Sequence, residues 1–326
     1  MDNFSFNRDW YGSKASLISN DEVHTVIDYG CEGKGIITVY DLFEGVQLCF
    51  MDCDTSEQFH SQTFSDDVIQ LTYCRYGRYE CEFTDHRVSY LPEGSVAVEE
   101  TACLPETFSF PLGKFDAVSI VIDRSKAGKD FMLMLRALNF DIDRLIDDLG
   151  LKYGWFIAPI GEKESLVFSQ IYEAKQNSDV TIMRIKALEI LALISRLKNA
   201  PADKMKYYSR DQISKVKDIR NRLIADTQGR ASVEQLAKDA HISVSAFHSV
   251  FLQVYGETPY AYLKKYKMDI AAQRLAESDD SVLDIAAELG YSNASKFAAA
   301  FRSVYGMLPK DYRRTKKQER AVLEQQ

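Results

Sequence analysis

Two stretches in the C-terminal third of the chain repeat one pattern about fifty residues apart. Val282 follows Val233 by 49 residues, and Phe301 follows Phe251 by 50. One residue has therefore been added between these points, near Ser292, and a turn accepts such a change most easily. A repeat of this length is typical of a duplicated helical unit, so the sequence predicts two similar helical units in succession.

Each copy contains the signals for two short helices joined by a turn. In the first copy, Ser232 precedes Gln235 by three residues, as a capping box requires. Phe247 and Phe251 then share one apolar face of a second helix, whose opposite face is left for an outside partner. The second copy repeats both features. This arrangement predicts a helix-turn-helix, whose second helix lies in the major groove of DNA.

The segment between the two copies predicts one long helix. Thr258 is placed to cap it, Pro259 occupies its first position, and residues 260–277 contain no further Gly or Pro. Some eighteen residues at 1.5 Å each span roughly 27 Å. The two recognition helices are then expected on the order of 34 Å apart, which is about one turn of DNA, so that one chain reads two adjacent major-groove segments.

Residues 209–314 resemble the DNA-binding region of the AraC/XylS family of bacterial transcription regulators. The resemblance rests above all on the second copy, which reads Ile285-Ala-Ala-Glu-Leu-Gly-Tyr-Ser-Asn-Ala-Ser-Lys-Phe-Ala-Ala-Ala-Phe-Arg and then Tyr305-Gly-Met-Leu-Pro-Lys-Asp-Tyr-Arg. Two details depart from the family pattern. Lys267-Met268 stands where members usually have Arg and an apolar residue, and Ala298-Ala299-Ala300 fills a helix that often carries Arg or Thr.

This resemblance implies which side chains meet DNA. The base-contacting positions are Ser245, His248 and Ser249 on the first recognition helix and Ser295, Lys296 and Ala299 on the second. Ser and His bond to base edges or phosphates, whereas an Ala offers only apolar contact, as with a thymine methyl group. The second recognition helix is therefore expected to contribute more to positioning the protein on DNA than to sequence specificity. The expected phosphate contacts are Ser243, Ser292, Asn293, Arg302, Lys310, Arg313 and Arg314.

The charge of the chain is divided unevenly between its two parts. The whole chain carries a net charge of −8. From Ser209 onward there are 19 Lys and Arg against 15 Asp and Glu, so this part carries +4 and the remainder carries −12. Because a DNA-binding surface needs local positive charge, any affinity for DNA is expected in the C-terminal part.

The six cysteines, which all lie in the first third of the chain, form no C-x-x-C pair. We therefore interpret them as reduced and mostly buried strand residues. No apolar run approaches the roughly 18 residues that span a bilayer, and the polar start of the chain does not match a secretory signal. The sequence predicts a cytoplasmic protein that does not enter a membrane.

Apolar residues between positions 36 and 122 cluster in short runs bounded by turn residues. Eight strands are predicted, at residues 35–40, 46–52, 68–74, 78–83, 87–91, 95–99, 107–110 and 117–123. This spacing indicates an all-β sandwich or barrel, and a barrel of about eight strands can hold one small ligand. The block is similar to the cupin-like sensor domain of many AraC-family members. The residues predicted to line its effector pocket are His60, Tyr73, Arg75, Tyr79 and Glu82.

The cupin resemblance also raises an enzymatic alternative, because some cupins are metal-dependent oxygenases. Such a site needs a His-x-His pair with a further carboxylate and His, but His24, His60 and His86 are scattered along the chain. The sequence therefore predicts no enzyme, no catalytic residue, no metal site and no cofactor.

A helical connector is predicted after the strands, with helices at residues 130–138, 141–149, 162–176 and 180–198. The last of these is apolar around most of its circumference and needs cover on more than one side. A second subunit is the predicted cover, with Leu193 and Leu197 in the contact, because paired helices are where the resembling family dimerises. Burial of this helix within one chain is the alternative.

The predicted fold class is α+β. It combines an N-terminal all-β cupin-like barrel at residues 1–125, a helical connector and dimerisation hairpin at 126–200, and an all-α tandem helix-turn-helix domain at 201–326. The predicted function is a sequence-specific transcription regulator, in particular an activator that senses a small molecule. The expected partners are double-stranded promoter DNA, RNA polymerase, an effector and a second copy of the chain. A regulator whose β domain serves only dimerisation or protein interaction is the alternative.

Overall fold

The computed structural model describes residues 11–12, 14–61, 67–196, 207–226, 228 and 232–323. The chain divides into two compact units, Met1–Arg210 and Asp211–Gln326. Strands and helices together form the first unit, and helices alone form the described part of the second. The predicted α+β fold class is thereby confirmed.

The first unit is built around a curled antiparallel half-barrel of strands β1–β12. Their central path runs β1-β2-β3-β4-β10-β6-β7-β12, while β8 and β9 also pair with β6 and carry β11 and β5 at their outer edges. All pairings within the described residues are antiparallel. The strands are Ser16–Asn20, Thr25–Asp28, Lys34–Phe43, Val46–Asp54, Gln58–His60, Val68–Glu82, Arg87–Pro92, Ser95–Glu100, Thr107–Ser109, Lys114–Asp123, Phe156–Pro159 and Tyr208–Ser209.

Two strands predicted from the sequence are one continuous strand in the structure, β6 at Val68–Glu82. Its first half pairs with β8 and β10, and its second half pairs with β7 and β9, so the strand passes from one sheet to the next. Gly77 makes this passage at φ +89°, where a Cβ atom would meet the backbone oxygen of Lys114 at 2.1 Å. Gly77, which lies between the two predicted strands, is the bend of one long strand.

In the described part of the first unit, four α-helices follow or interrupt the sheet. They are α1 (Lys129–Ala137), α2 (Ile142–Leu149), α3 (Glu162–Gln176) and α4 (Val180–Ile194). Their buried side chains share one hydrophobic core with one face of the sheet, for example Phe168 of α3 with Leu48 and Val118 of the strands. The predicted connector therefore packs on the sheet as part of the first unit, because its apolar faces need that cover.

The opposite face of the sheet curls around a second set of apolar side chains. Leu48 and Phe50 of β4 point towards the helices, whereas Cys49 and Cys53, on alternate positions of the same strand, point into the concave side. The described cysteines are all unpaired, four of them buried and two half-buried. The four buried cysteines all lie on strands, as predicted.

The second unit consists of seven helices in its described part. They are α5 (Arg210–Ala225), α6 (Val233–Asp239), α7 (Val244–Tyr255), α8 (Pro259–Glu277), α9 (Val282–Glu288), α10 (Ala294–Tyr305) and α11 (Pro309–Leu323). The predicted long helix between the two copies is thus confirmed as α8. No helix in the described part of the chain is both long and apolar enough to span a bilayer.

Candidate nucleic-acid interface

The first helix-turn-helix consists of α6 and α7. The hydroxyl oxygen of Ser232 accepts a hydrogen bond from the backbone N–H of Gln235 at 3.1 Å, which starts α6 as the sequence predicted. The hydroxyl of Ser243 accepts from the N–H of Ala246 at 3.2 Å and starts α7. Between the helices, His241 adopts a left-handed conformation at φ +54°, which produces the sharp turn.

The second helix-turn-helix, α9 and α10, repeats this geometry with one difference. Gly290, the counterpart of His241, is also left-handed, at φ +79°, and a Cβ atom there would meet the backbone oxygen of Gln228 at 2.7 Å. Helix α10 is capped by Asn293, whose side-chain oxygen accepts from the N–H groups of Ser295 and Lys296. Ser292 lies in the turn before this cap and is the added residue.

Each of the two helix-turn-helix motifs is held together by a triangle of aromatic rings. In the first, the centroids of Phe251, Tyr255 and Tyr262 lie 4.6 to 5.5 Å apart. In the second, the equivalent rings lie 4.8 to 5.4 Å apart and belong to Phe301, Tyr305 and Tyr312. Both phenylalanines are completely buried. Because each triangle joins the recognition helix to the helix that follows it, α8 and α11 hold α7 and α10 in place.

The outward faces of the two recognition helices are open to solvent. All six predicted base-contacting residues are exposed, while Phe247 and Phe297 on the opposite faces are fully buried. The exposed residues are Ser245, His248, Ser249, Ser295, Lys296 and Ala299. Short polar side chains and an Ala therefore line these faces, and Lys296 supplies the positive charge at the start of α10.

The predicted phosphate contacts fall into two groups. Ser243 and Asn293 use an oxygen as a helix cap but remain exposed, and Ser292, Arg302 and Lys310 are also exposed. The other two, Arg313 and Arg314, have hydrogen-bond partners within the second unit.

Arg313 is committed to the structure of the second unit. Its guanidinium donates to the backbone oxygens of Leu275, at 3.4 Å, and Asp280, at 2.6 Å, and so ties α11 to the end of α8. Arg314 forms an exposed ion pair with Asp311 one turn away. A structural anchor of this kind gives no signal in the sequence, because the acceptors are backbone atoms.

A second anchor is Lys267 on α8, one of the two departures from the family pattern. Its ammonium group donates to the backbone oxygen of Leu289 at 3.0 Å, at the end of α9, and so satisfies a helix-terminal carbonyl. Burial lowers the pKa of this Lys below its usual value. The same α8 helix also holds Arg274, which forms ion pairs with Asp280 and Glu288.

The concave side of the half-barrel encloses a cavity of about 140 Å³ in the first unit. Of the five residues predicted to line an effector pocket, Tyr79 lies on its wall. Tyr73, in contrast, faces the helices and stacks on Phe168 with a centroid distance of 4.2 Å. Its odd position on β6 places it on the opposite face of the sheet from Gln70 and Thr72.

The other three predicted pocket residues also lie away from this cavity. Arg75 forms two hydrogen bonds with Asp116 outside the cavity. His60 is exposed on β5, and Glu82 lies near the far end of β6, 3.3 Å from Arg210. The sequence missed Glu99, which lies on the cavity wall. In the described residues, no three His, Cys, Asp or Glu side chains are grouped so that they could hold a metal ion.

Two helix-turn-helix units in tandem, joined by one long helix and each with an exposed recognition helix, define a DNA-binding domain. Residues 236–315 match the family model described as a helix-turn-helix domain. Together with the curated relatives described next, this match shows that the C-terminal part of the chain is an AraC-type helix-turn-helix domain.

The curated relatives are transcription regulators. The chain is 40% identical over 82 residues to the RCS-specific HTH-type transcriptional activator RclR of Escherichia coli, which is 25% of this chain and 29% of that protein. It is 34% identical over 94 residues to the probable transcriptional regulator LumQ of Photobacterium leiognathi, or 29% of this chain and 38% of that protein. The chain thus spans less than half the length of either relative.

The solved structures that are similar to this chain include the C-terminal domain of AraT, a response regulator from Geobacillus stearothermophilus. It is 26% identical to this chain, with a TM-score of 0.30, and the match covers 31% of this chain and 84% of that domain.

Proposed function

We propose that this protein is a sequence-specific transcription regulator that reads two neighbouring segments of promoter DNA with α7 and α10. The observation that carries the proposal is the pair of exposed recognition faces on α7 and α10, two helices that both pack against α8. The helix has 19 residues and is about 28 Å long, a length suited to placing two helices about one DNA turn apart. The net charge of +4 from Ser209 onward supports attraction to phosphates.

The finer parts of the proposal concern regulation. We propose an activator that acts in the cytoplasm, contacts RNA polymerase at the promoter and responds to a small molecule bound by the first unit. The cavity on the concave side of the half-barrel supports an effector. In the alternative, the first unit serves only dimerisation or protein contacts, and a ligand then has no effect on DNA binding.

The two recognition helices should contribute differently to specificity. His248 can form hydrogen bonds with base edges, which discriminate between sequences by roughly 1–3 kcal/mol for a good bidentate pair. His248→Ala should therefore relax sequence preference in one half of the site and leave binding to random DNA nearly unchanged. Lys296→Ala should weaken binding to specific and random DNA alike and flatten the salt dependence.

Competition binding with a randomised site library, at two salt concentrations, separates these results. The control is Gln273→Ala, an exposed position on α8 whose amide donates to the carboxylate of Glu277. This control should retain both the selected motif and the affinity. The roles of the two helices are reversed if Lys296→Ala changes the motif while His248→Ala leaves it intact.

We also propose that α4 contributes to a homodimer. Five of its apolar residues are buried within their own chain, including Met183 and Ile190. Ile182 and Ile185, three residues apart, remain 37% and 53% exposed and offer an apolar surface to a second copy. Leu193, one of the two predicted contacts, is partly buried against its own core. The other, Leu197, lies outside the described residues.

Ile185→Asp should shift the dimer towards monomer, because it places a carboxylate in an apolar contact with no partner for the charge. Ile185 is a cleaner test than Leu193, since Leu193→Asp would also disturb the core of the single chain. Light scattering at tens of micromolar measures the result, and Ser169→Asp on the exposed side of α3 is the control. A wild-type protein that is monomeric with and without DNA would refute the dimer.

A further inference from the structure

The cavity in the half-barrel has walls that are mainly aromatic and apolar, with a smaller polar part. Tyr29, Tyr79, Phe108 and Trp155 are among the residues that line it. Its volume of about 140 Å³ is close to that of an engineered apolar cavity that binds benzene. Among the described lining residues there is no Lys, Arg or His. The cavity is therefore suited to a flat or compact organic group of about one ring.

One ionisable side chain on the cavity wall, Glu99 of β8, has an unusual environment. The residue is only 6% exposed, and its Oε2 atom is buried without a hydrogen-bond partner among the described residues. Gln70 lies directly opposite on β6. It donates instead to Thr72 at 2.9 Å and to Ser119 at 3.4 Å. An unpartnered buried carboxyl oxygen costs free energy, and a bound donor would remove that cost.

We propose that this cavity binds a small organic amine, whose protonated nitrogen pairs with Glu99 and whose apolar body lies against the aromatic walls. The proposal rests on the proposed role of the first unit as a small-molecule sensor and specifies the ligand. Two kinds of attraction act together on such a cation. The carboxylate supplies a charge-assisted hydrogen bond, and the aromatic side chains of the wall bury the apolar body of the ligand.

The same geometry disfavours other ligand classes. An anion would meet the Glu99 carboxyl group without any cation among the described lining residues. A sugar would need polar partners on most of its sides, whereas most of the lining side chains are apolar or aromatic. A neutral aromatic compound without a hydrogen-bond donor would fit the walls and leave Oε2 unpartnered. An amine satisfies both the walls and the carboxyl group.

Three probes of similar size test this assignment on the full chain. Benzylamine is the cationic probe, benzyl alcohol its neutral counterpart and benzoate its anionic one. Thermal shift and calorimetry should show binding of benzylamine that is at least about tenfold tighter than that of benzyl alcohol, with no binding of benzoate. Equal binding of amine and alcohol, or no binding of benzylamine at millimolar concentration, overturns the proposal.

Variants then assign the interaction to one side chain. Glu99→Gln keeps the size of the side chain and removes its charge, so benzylamine binding should fall at least about tenfold while the protein stays folded by circular dichroism. Glu32→Gln, at an exposed position, is the control and should bind as the wild type does. Glu99→Asp provides a second folded variant with the charge retained. If Glu99→Gln binds benzylamine as the wild type does, Glu99 is not the partner.

The affinity for the amine should also depend on pH. Burial raises the pKa of Glu99 to about 8, so cation binding at neutral pH must displace a proton from the carboxyl group. Tyr79 and Cys81 on β6 and Tyr29 and Cys49 elsewhere around the cavity have pKa values raised by burial, and they stay neutral in this range. Affinity should therefore rise with pH up to about 8, and calorimetry in two buffers should detect proton release. A pH-independent affinity contradicts the pairing.

Selection of DNA sites by the unliganded protein is measured separately. If the protein selects a motif but binds none of the probes, the regulator proposal stands and the amine proposal fails. If benzylamine binds through Glu99 but no motif is selected, the cavity assignment stands and the regulator proposal fails.

Discussion

Replacement of Phe301 by alanine is expected to destabilise the second unit by about 3–5 kcal/mol and to weaken DNA binding by removing the contacts of α10. The Phe301 side chain is completely buried. Its ring stacks on Tyr305 at 4.8 Å and contacts Tyr312 edge-on at 5.4 Å. Removing the ring leaves a cavity beneath α10 and releases that helix from α11. Urea denaturation followed by circular dichroism measures the loss, and gel shift measures DNA binding.

The matched control for this variant is Leu308→Ala. Leu308 is 44% exposed and lies just before α11. Its truncation should change the free energy of unfolding by less than about 1 kcal/mol, as most surface substitutions do. If Phe301→Ala is no more destabilising than Leu308→Ala, the aromatic triangle does not hold the recognition helix in place.

Glu99→Gln is expected to stabilise the unliganded protein at alkaline pH by up to about 5 kcal/mol. Burial raises the pKa of Glu99 from 4.5 to about 8, so the folded state holds this proton more tightly than the unfolded state does. The resulting stabilisation is fully present below pH 4.5, declines as the pH rises and is lost above pH 8. At about 1.36 kcal/mol per pH unit, the total difference is roughly 5 kcal/mol.

The neutral amide of glutamine does not titrate, so it adds no pH-dependent contribution to the stability of the variant. The two proteins should therefore have similar stability near pH 5, and the variant should become the more stable as the pH rises to 9. Urea denaturation of both proteins across this range gives the difference in unfolding free energy, and Glu32→Gln serves again as the exposed control. A difference that stays constant with pH would show that Glu99 ionises normally in the folded protein.

Much of the helical unit could be predicted because its signals are local. Ser232 and Thr258 start their helices as expected, and both side chains accept hydrogen bonds from the backbone within three residues. The position of the inserted residue in the second turn also follows from the change in spacing between matching residues of the two copies. The two hydrogen bonds of the Arg313 guanidinium could not be predicted, because they join α11 to backbone oxygens more than thirty residues earlier in the chain.

The first unit was harder to predict because its organisation depends on contacts distant in sequence. The predicted strands are present, but only the structure shows that β6 is continuous through Gly77 and pairs with four other strands. Likewise, nothing in the Ser95–Glu100 sequence distinguishes Glu99 from Glu100 as the residue on the cavity wall. That assignment depends on which face of β8 curls inward. Tyr73, which looked like a pocket residue, belongs to the helix-packed face for the same reason.

Site selection by residues 201–326 alone tests the central claim most directly, since one copy of this fragment contains both recognition helices. A randomised library should yield a motif with two conserved elements about ten base pairs apart, centre to centre. Phe251→Ala and Phe301→Ala, each in one aromatic triangle, should each remove one of the two elements. A motif with a single element, or no preference over random DNA for a fragment that is folded by circular dichroism, would contradict the account.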